Sequence, residues 1–353
     1  RRLAPLVFGA VEHLPHAQDR RAVEALGHDV VEPHLALDEA FETRTLTALD
    51  SRDRGFVRLL VSTLLRRLGQ IDAAVLACLE RPLTAKASPI LNILRLGAAQ
   101  LLFLHTPPHA AVDNTVGLVV GPRLQPYRAL VNAVLRRLSK EGATILAKQD
   151  AARLNLADWL WQSWTKAYGE DQVRAMMAVI MAEPPLDLTV KADSASWAER
   201  LGGLVLPTGS VRLAHAGAVA DLPGFAEGAW WVQDAAAALP AQLLGPIEGQ
   251  TVVDLCAAPG GKAAQLAAAG AHVIAVDRSE TRLARLRENF ARLRLKAETV
   301  AADVAAWRPE TPARFILLDA PCTATGTLRR HPDIGWRKTP DDVTRMTVVQ
   351  DRL

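Results

Sequence analysis

Residues 252–277 read VVDLCAAPGGKAAQLAAAGAHVIAVD, and few folds accept that order. An apolar run enters a glycine-rich turn, a helix rich in small residues follows, and a second apolar run ends on an acid. Two buried strands joined in this way belong to an open parallel sheet, whose ligand crevice lies outside the carboxyl ends of its strands. The alternation continues, with strands expected at 252–255, 273–276, 299–302 and 315–318. From Trp230 onward the chain is therefore expected to form a parallel α/β domain.

The turn itself narrows the ligand. A phosphate-binding P-loop would need glycine where Cys256 stands, and serine or threonine where Ala263 follows Lys262. A dinucleotide fingerprint fails as well, because Gly260 and Gly261 are adjacent and no third glycine follows at the required spacing. Acids close three successive strands: Asp277, Asp303 and Asp319. A carboxylate at such a position can accept hydrogen bonds from ribose hydroxyls, whereas three of them suit phosphates poorly. S-adenosylmethionine is the ligand class that fits, although any single acid read alone could equally be a helix cap.

Upstream the periodicity changes. Residues 51–140 repeat Leu, Val and Ile at spacings of three and four with arginines between them, which predicts a helical bundle. Tryptophans 159, 161 and 164, at helical spacing, are expected to be core rather than base-stacking platforms. Short alternating runs broken by Gly, Pro and Asp fill the stretch up to residue 229, and the division expected is 1–142 helical, 143–229 small α+β, and 230–353 α/β. Net charge is only +3 over 353 residues, but residues 1–50 carry 5 basic and 9 acidic side chains while residues 51–140 carry 13 and 4. A basic helical region suits nucleic acid, or is simply a soluble arginine-rich bundle. The three cysteines, Cys78, Cys256 and Cys322, lie far apart with no CxxC pair, which argues against a disulfide framework or a zinc site. No apolar run is long and uncharged enough to span a bilayer, and no signal-peptide pattern is visible. A cytoplasmic, monomeric protein without metal is expected.

FILLDAPCTATGTLRRHPDIGW, residues 315–336, indicates the chemistry. Pro321 stiffens the turn after Asp319, and Cys322 follows at the mouth of the crevice. Such a pair suits methylation at C5 of a pyrimidine. That carbon is a poor nucleophile until a thiolate adds at C6; an acid at N3 stabilises the developing charge, a base removes the C5 proton, and elimination of the thiol releases product. Asp319 and Cys322 could serve the acid and thiol parts.

DLCAAPGGK, DAPCTATGTLRRHPDIGW and WVQDAAAALPAQLL resemble the motifs of the Sun/RsmB family of ribosomal RNA cytosine-C5 methyltransferases. RGFVRLLVSTLLRRLGQID, LRLGAAQLLFLHTPPHAAV and YRALVNAVLRRL resemble the NusB-like domain that precedes the catalytic domain there. The resemblance spans about residues 50–345. It implies that Cys256, Ala257, Ala258, Pro259, Gly260, Gly261 and Lys262 wrap the methionine and ribose of the cofactor, with Asp277 on the ribose, Asp303 near the adenine and Asp319 where cofactor meets cytosine. Cys322 matches the cysteine that assists product release. The family's attacking cysteine lies in a later Thr-Cys-Ser motif, which this sequence lacks.

Four strands where this kind of sheet has seven, and Arg1 at the start, lead us to expect a fragment of a longer protein that does not turn over alone. An inactive paralogue, or an enzyme that attacks with Cys322, remains open. The partner implied is small-subunit ribosomal RNA, with Arg66, Arg67, Arg136 and Arg137 as candidate phosphate contacts and Arg329, Arg330 and His331 as candidate grips beside the target base. The alternative function is an RNA-binding protein of the NusB kind with a vestigial methyltransferase domain.

Overall fold

The computed structural model describes residues 50–84, 87–214 and 217–353 together with Leu37 and Phe41. Most of the acidic lead-in, and the start of the expected first domain, lie outside the described residues. Two compact units result: one takes the chain up to Pro184 together with Ala324–Pro340, the other takes Pro185–Thr323 and Asp341–Leu353.

The first unit is helical. Its helices are α1 (Ser51–Arg66), α2 (Leu68–Ala77), α3 (Ser88–Leu102), α4 (Pro108–Val116), α5 (Arg128–Ala147), α6 (Ala151–Leu154), α7 (Asp158–Tyr168) and α8 (Glu170–Ile180). Asp50 caps α1 by accepting from the Asp53 N–H at 2.8 Å, and proline occupies the first turn of α3 and of α4, where no N–H is needed. The apolar faces meet in one core of Leu64, Leu65, Leu68, Ile71, Ile90, Ile93, Leu94, Leu135 and Leu138. At Gly97 the packing is close enough that a Cβ would lie 2.6 Å from Leu135 Cδ2 and 3.0 Å from Thr115 Cγ2, so α3, α4 and α5 meet there only around glycine.

One charged pair sits inside this core. Arg95 has no exposed side-chain surface, and its Nε and Nη2 each donate to Asp72 at 2.7 Å while Nη1 donates to Asn92 Oδ1 at 2.9 Å. The arginine that interrupts the longest apolar run of the sequence thus ties α3 to α2.

The second unit begins with β1 (Leu186–Val190), α9 (Ser194–Leu201), β2 (Leu204–Val205), β3 (Val211–Leu213) and β4 (Trp230–Val232), and the four strands pair antiparallel in the order β2-β3-β1-β4. It continues through α10 (Ala235–Gln242), β5 (Thr251–Leu255), α11 (Gly261–Ala268), β6 (His272–Asp277), α12 (Glu280–Leu293), β7 (Glu298–Ala301) and β8 (Phe315–Leu318). The latter strands make the expected parallel sheet, in the order β7-β6-β5-β8. Asp187 on β1 is fully buried, receives Arg212 of β3 at 2.7 and 2.8 Å, and accepts from the Ala235 N–H at the start of α10.

The division differs from the expected one at two places. Residues 143–180 are largely helical and belong with the bundle: Asn155 exchanges hydrogen bonds with Gln70 of α2, and the units part at Pro184–Pro185, after α8 has ended. The stretch after Cys322 also joins the helical unit. Leu328 and Ile334, the latter in the short α13 (Ile334–Arg337), pack with Leu156, Leu160, Val173 and Met177, and the Trp336 indole N–H donates to the Leu65 carbonyl at 2.8 Å. Trp159, Trp161 and Trp164 are half-buried and pack against the edge of the same cluster. The chain closes with α14 (Pro340–Arg352). No helix among the described residues is long and apolar enough to cross a membrane.

Candidate active site

The crevice at the carboxyl ends of β5, β6 and β8 is built from the residues that the glycine-rich turn supplies. Leaving β5, Cys256 adopts a left-handed conformation at φ +64°, unusual for a residue with a side chain. Gly260, at φ +105°, starts α11, and a Cβ there would lie 2.8 Å from Leu286 Cγ of α12. Glycine is required at that point for both reasons, and the turn is thereby packed closely against α12.

The strand-end acids divide by environment. Asp277 turns inward: it is 2% exposed, one oxygen accepts from the Ser279 N–H at 3.0 Å, and the other accepts from the Ala258 N–H at 3.2 Å and pairs with Arg282 at 3.2 Å. Its first task is thus to pin the glycine-rich loop to β6, and Arg282 adds a bond to the Ala258 carbonyl. Asp303 and Asp319 keep half or more of their side-chain surface, 51% and 57%. Asp303 accepts from the Ala305 N–H at 3.0 Å and from Arg352 at 2.9 Å. Asp319 receives the Lys262 ammonium at 2.7 Å, so a helix-borne cation of the turn and the acid of the next loop form one unit. Cys322 is exposed on that loop, while Cys256 is half-buried, and its burial and the nearby Asp277 push the Cys256 thiol up. Between the two, Cys322 is the accessible sulfur.

A fourth acid was not singled out by the motif reading. Asp254 lies within β5, 1% exposed, and neither carboxylate oxygen has a hydrogen-bond partner. Burial pushes its pKa up to about 7; Lys262 opposes the rise, and Asp319 and Asp277 reinforce it. The signal in the sequence was an aspartate inside an otherwise apolar strand, VVDL, at a position that a buried strand fills with Val or Ile. A buried carboxyl whose folded pKa lies above its unfolded value makes the folded state bind the extra proton, so stability falls as pH rises from the ordinary carboxylate range through about 7. The melting temperature of the wild-type protein is expected to drop between pH 5 and pH 8 by more than that of Asp254→Asn. Parallel melting curves for the two proteins would refute the assignment.

The basic residues expected to contact RNA separate in the same way. Arg136 and Arg137 are exposed on α5, Arg137 in an ion pair with Glu141. Arg66 is only 9% exposed and donates to the Arg329 carbonyl at 3.0 Å. Arg67 donates to Gln70 Oε1 and to the Met181 carbonyl, and stacks over Phe103. Arg329 donates to the Glu183 carbonyl at 3.0 Å, and Arg330 and His331 are half-buried beside it. Arg66, Arg67 and Arg329 therefore serve internal contacts of the helical unit, because carbonyls left over at helix ends and turns need donors. Among the described residues no group of three or more His, Cys, Asp or Glu could hold a metal ion.

Comparison with known proteins gives this geometry a family. Residues 241–353 match the profile of the 16S rRNA methyltransferases RsmB/F, and residues 20–140 match that of the NusB family. The ribosomal RNA small subunit methyltransferase B of Pseudomonas putida is 38% identical over 328 residues, covering 87% of this chain and 75% of that protein. Its counterpart in Cronobacter sakazakii is 35% identical over 86% of this chain and 75% of its own length. The crystal structure of PH0851 superimposes with a TM-score of 0.66 at 20% identity, covering 99% of this chain and 81% of that one, a likeness of fold.

Proposed function

Because the chain belongs to the RsmB/F family of 16S rRNA methyltransferases, we propose that it transfers a methyl group from S-adenosylmethionine to C5 of a cytosine in small-subunit ribosomal RNA. The observation that carries the cytosine-C5 reading is the loop after β8, where Asp319, paired with Lys262, stands three residues before the exposed Cys322. An acid and a thiol on one turn are what addition and elimination at a pyrimidine ring demand.

The residues present fit an adenosyl ligand. Beside the turn stand carboxylates at the ends of neighbouring strands, which would repel a pyrophosphate and can accept from ribose hydroxyls and the adenine amino group. Asp277 holds the loop and has lone pairs left for a hydroxyl, Asp303 is the exposed acceptor on the adenine side, and Lys262 and Asp319 lie where cofactor and base meet. The cofactor supplies the methyl group. Asp319 donates to N3 of the cytosine, which draws electron density from C6 and readies it for a thiolate, and the target base must be unstacked to reach this acid. Arg136 and Arg137, exposed together on α5, are the most accessible of the candidate phosphate contacts.

Cys322 assists elimination in this scheme. In the full gene product, Cys322→Ala is expected to accumulate a covalent RNA–protein adduct, visible as a shifted band on a denaturing gel, which the wild type does not. Loss of activity with no adduct would instead make Cys322 the attacking group.

A further inference from the structure

The segment WVQDAAAALPAQLL, residues 231–244, takes no part in the chemistry above. Gln233, directly after β4, is buried, and its amide is bonded at both ends. Its Oε1 accepts from the Trp231 indole N–H at 2.9 Å, and its Nε2 donates to Gln265 Oε1 at 2.7 Å and to the Ala237 carbonyl at 3.3 Å. Gln265, on α11, continues the chain: its Nε2 donates to the Ala238 carbonyl of α10 at 2.9 Å. The order of these bonds is forced from both ends. An indole N–H can only donate and a backbone carbonyl can only accept, so neither amide can turn over without losing a bond. One directional chain of hydrogen bonds thus ties β4, α10 and α11 together.

Gln265 stands one helical turn beyond Gly261, and the two share a face of α11. A Cβ at Gly261 would lie 3.8 Å from Gln233 Cδ and Nε2, so the Gln233 amide lies against the first turn of that helix. Lys262, the next residue, bonds Asp319 at 2.7 Å. With only eight residues, α11 shifts or rotates as one piece, and the setting of its Gln265 face decides where Gly260, Gly261 and Lys262 come to lie. The other side of the turn is held by α12, where Asn289 donates to the Pro259 carbonyl at 3.2 Å.

We infer that Gln233 and Gln265 are positioning residues for the cofactor turn, fixing α11 so that Gly260, Gly261 and Lys262 stand in place before the ligand arrives. The inference rests on the adenosyl-cofactor reading above. A loop that must be ordered at the moment of binding costs affinity, and a turn already held avoids that cost. Neither glutamine takes a step in the chemistry; each acts through the turn.

The test is calorimetric titration of the full gene product with S-adenosylhomocysteine. Gln265→Met keeps the length and bulk of the side chain and removes both of its bonds. Gln265→Glu keeps the acceptor for Gln233 but sets an oxygen against the Ala238 carbonyl. Each should raise Kd by roughly tenfold, the scale of effect when a buried donor or acceptor loses its match. Gln233→Met/Gln265→Met should bind little worse than the weaker of its two single variants, because one chain is broken once. Leu213→Ala thins the core of the antiparallel sheet instead, and should lower the melting temperature with Kd unchanged. Misfolding reduces the fraction of protein that titrates, whereas misplacement of the turn raises the Kd of the fraction that does. In the ligand-free protein, amide exchange over residues 256–266 should quicken in Gln265→Met and not in Leu213→Ala. Wild-type affinity in either Gln265 variant, fully additive losses in the double variant, or an equal loss in Leu213→Ala overturns the inference. If the wild type binds no S-adenosylhomocysteine, the cofactor reading fails instead, and the exchange comparison still decides whether the glutamines hold the turn.

Discussion

Asp319→Asn is expected to reduce methyl transfer by roughly 10²- to 10⁴-fold in kcat, the range in which a positioned acid contributes. The asparagine keeps the shape of the side chain, so binding of S-adenosylhomocysteine should change little, while Lys262 loses its 2.7 Å partner and the base loses its proton donor at N3. The substitution also removes one of the charges that raise the Asp254 pKa. With that charge gone, the Asp254 carboxyl should ionise at lower pH. The check is a pair of measurements on one preparation: single-turnover methyl transfer, and calorimetric titration with S-adenosylhomocysteine. A rate within about tenfold of wild type would remove Asp319 from the chemistry. An equal loss of cofactor affinity would make it a binding residue instead.

Asp72→Ala should destabilise the helical unit by about 3–5 kcal/mol, because it strands a fully buried guanidinium. Arg95 would keep only its bond to Asn92 Oδ1, at 2.9 Å, against two lost bonds of 2.7 Å. Replacing both partners is a different matter. In Asp72→Leu/Arg95→Met the charges leave together, and the double variant should recover most of the loss. Chemical denaturation of the wild type, Asp72→Ala and the double variant decides it. If the single change costs less than about 1 kcal/mol, the pair contributes no more than an exposed salt bridge would.

The two regular patterns of this chain were legible because each element fixes its own periodicity. The strands expected at 252–255 and 315–318 are found as Thr251–Leu255 and Phe315–Leu318, and the helical region over residues 51–140 stands. Pattern alone could not say which surface the chain after Cys322 would choose. Leu328, Ile334 and Trp336 are as apolar as any core triplet, yet they pack with the helical unit, a choice made by distant partners such as Met177 and the Leu65 carbonyl. Charge composition likewise gave no sign of the internal contacts made by Arg66, Arg67 and Arg329. Counting cations cannot tell which arginines also satisfy a carbonyl, as these three do. Around the candidate site, the motif named both members of the Lys262–Asp319 pair, but it gave no hint that Asp277 turns inward to hold the Ala258 N–H. Asp254 escaped notice because a lone acid in a strand carries information only once its neighbours are known to be apolar on both sides.

The central claim concerns which atom receives the methyl group. The most direct measurement incubates the full gene product with 16S ribosomal RNA, or the small subunit carrying it, and S-adenosylmethionine labelled in the methyl carbon, then digests the RNA and identifies the labelled nucleoside by mass spectrometry. Label is expected in 5-methylcytidine alone, at a defined position, and is expected to be lost in Asp319→Asn. Label on a ring nitrogen, an exocyclic amine or a ribose oxygen would contradict it, since none of those acceptors needs a thiol or an acid at N3.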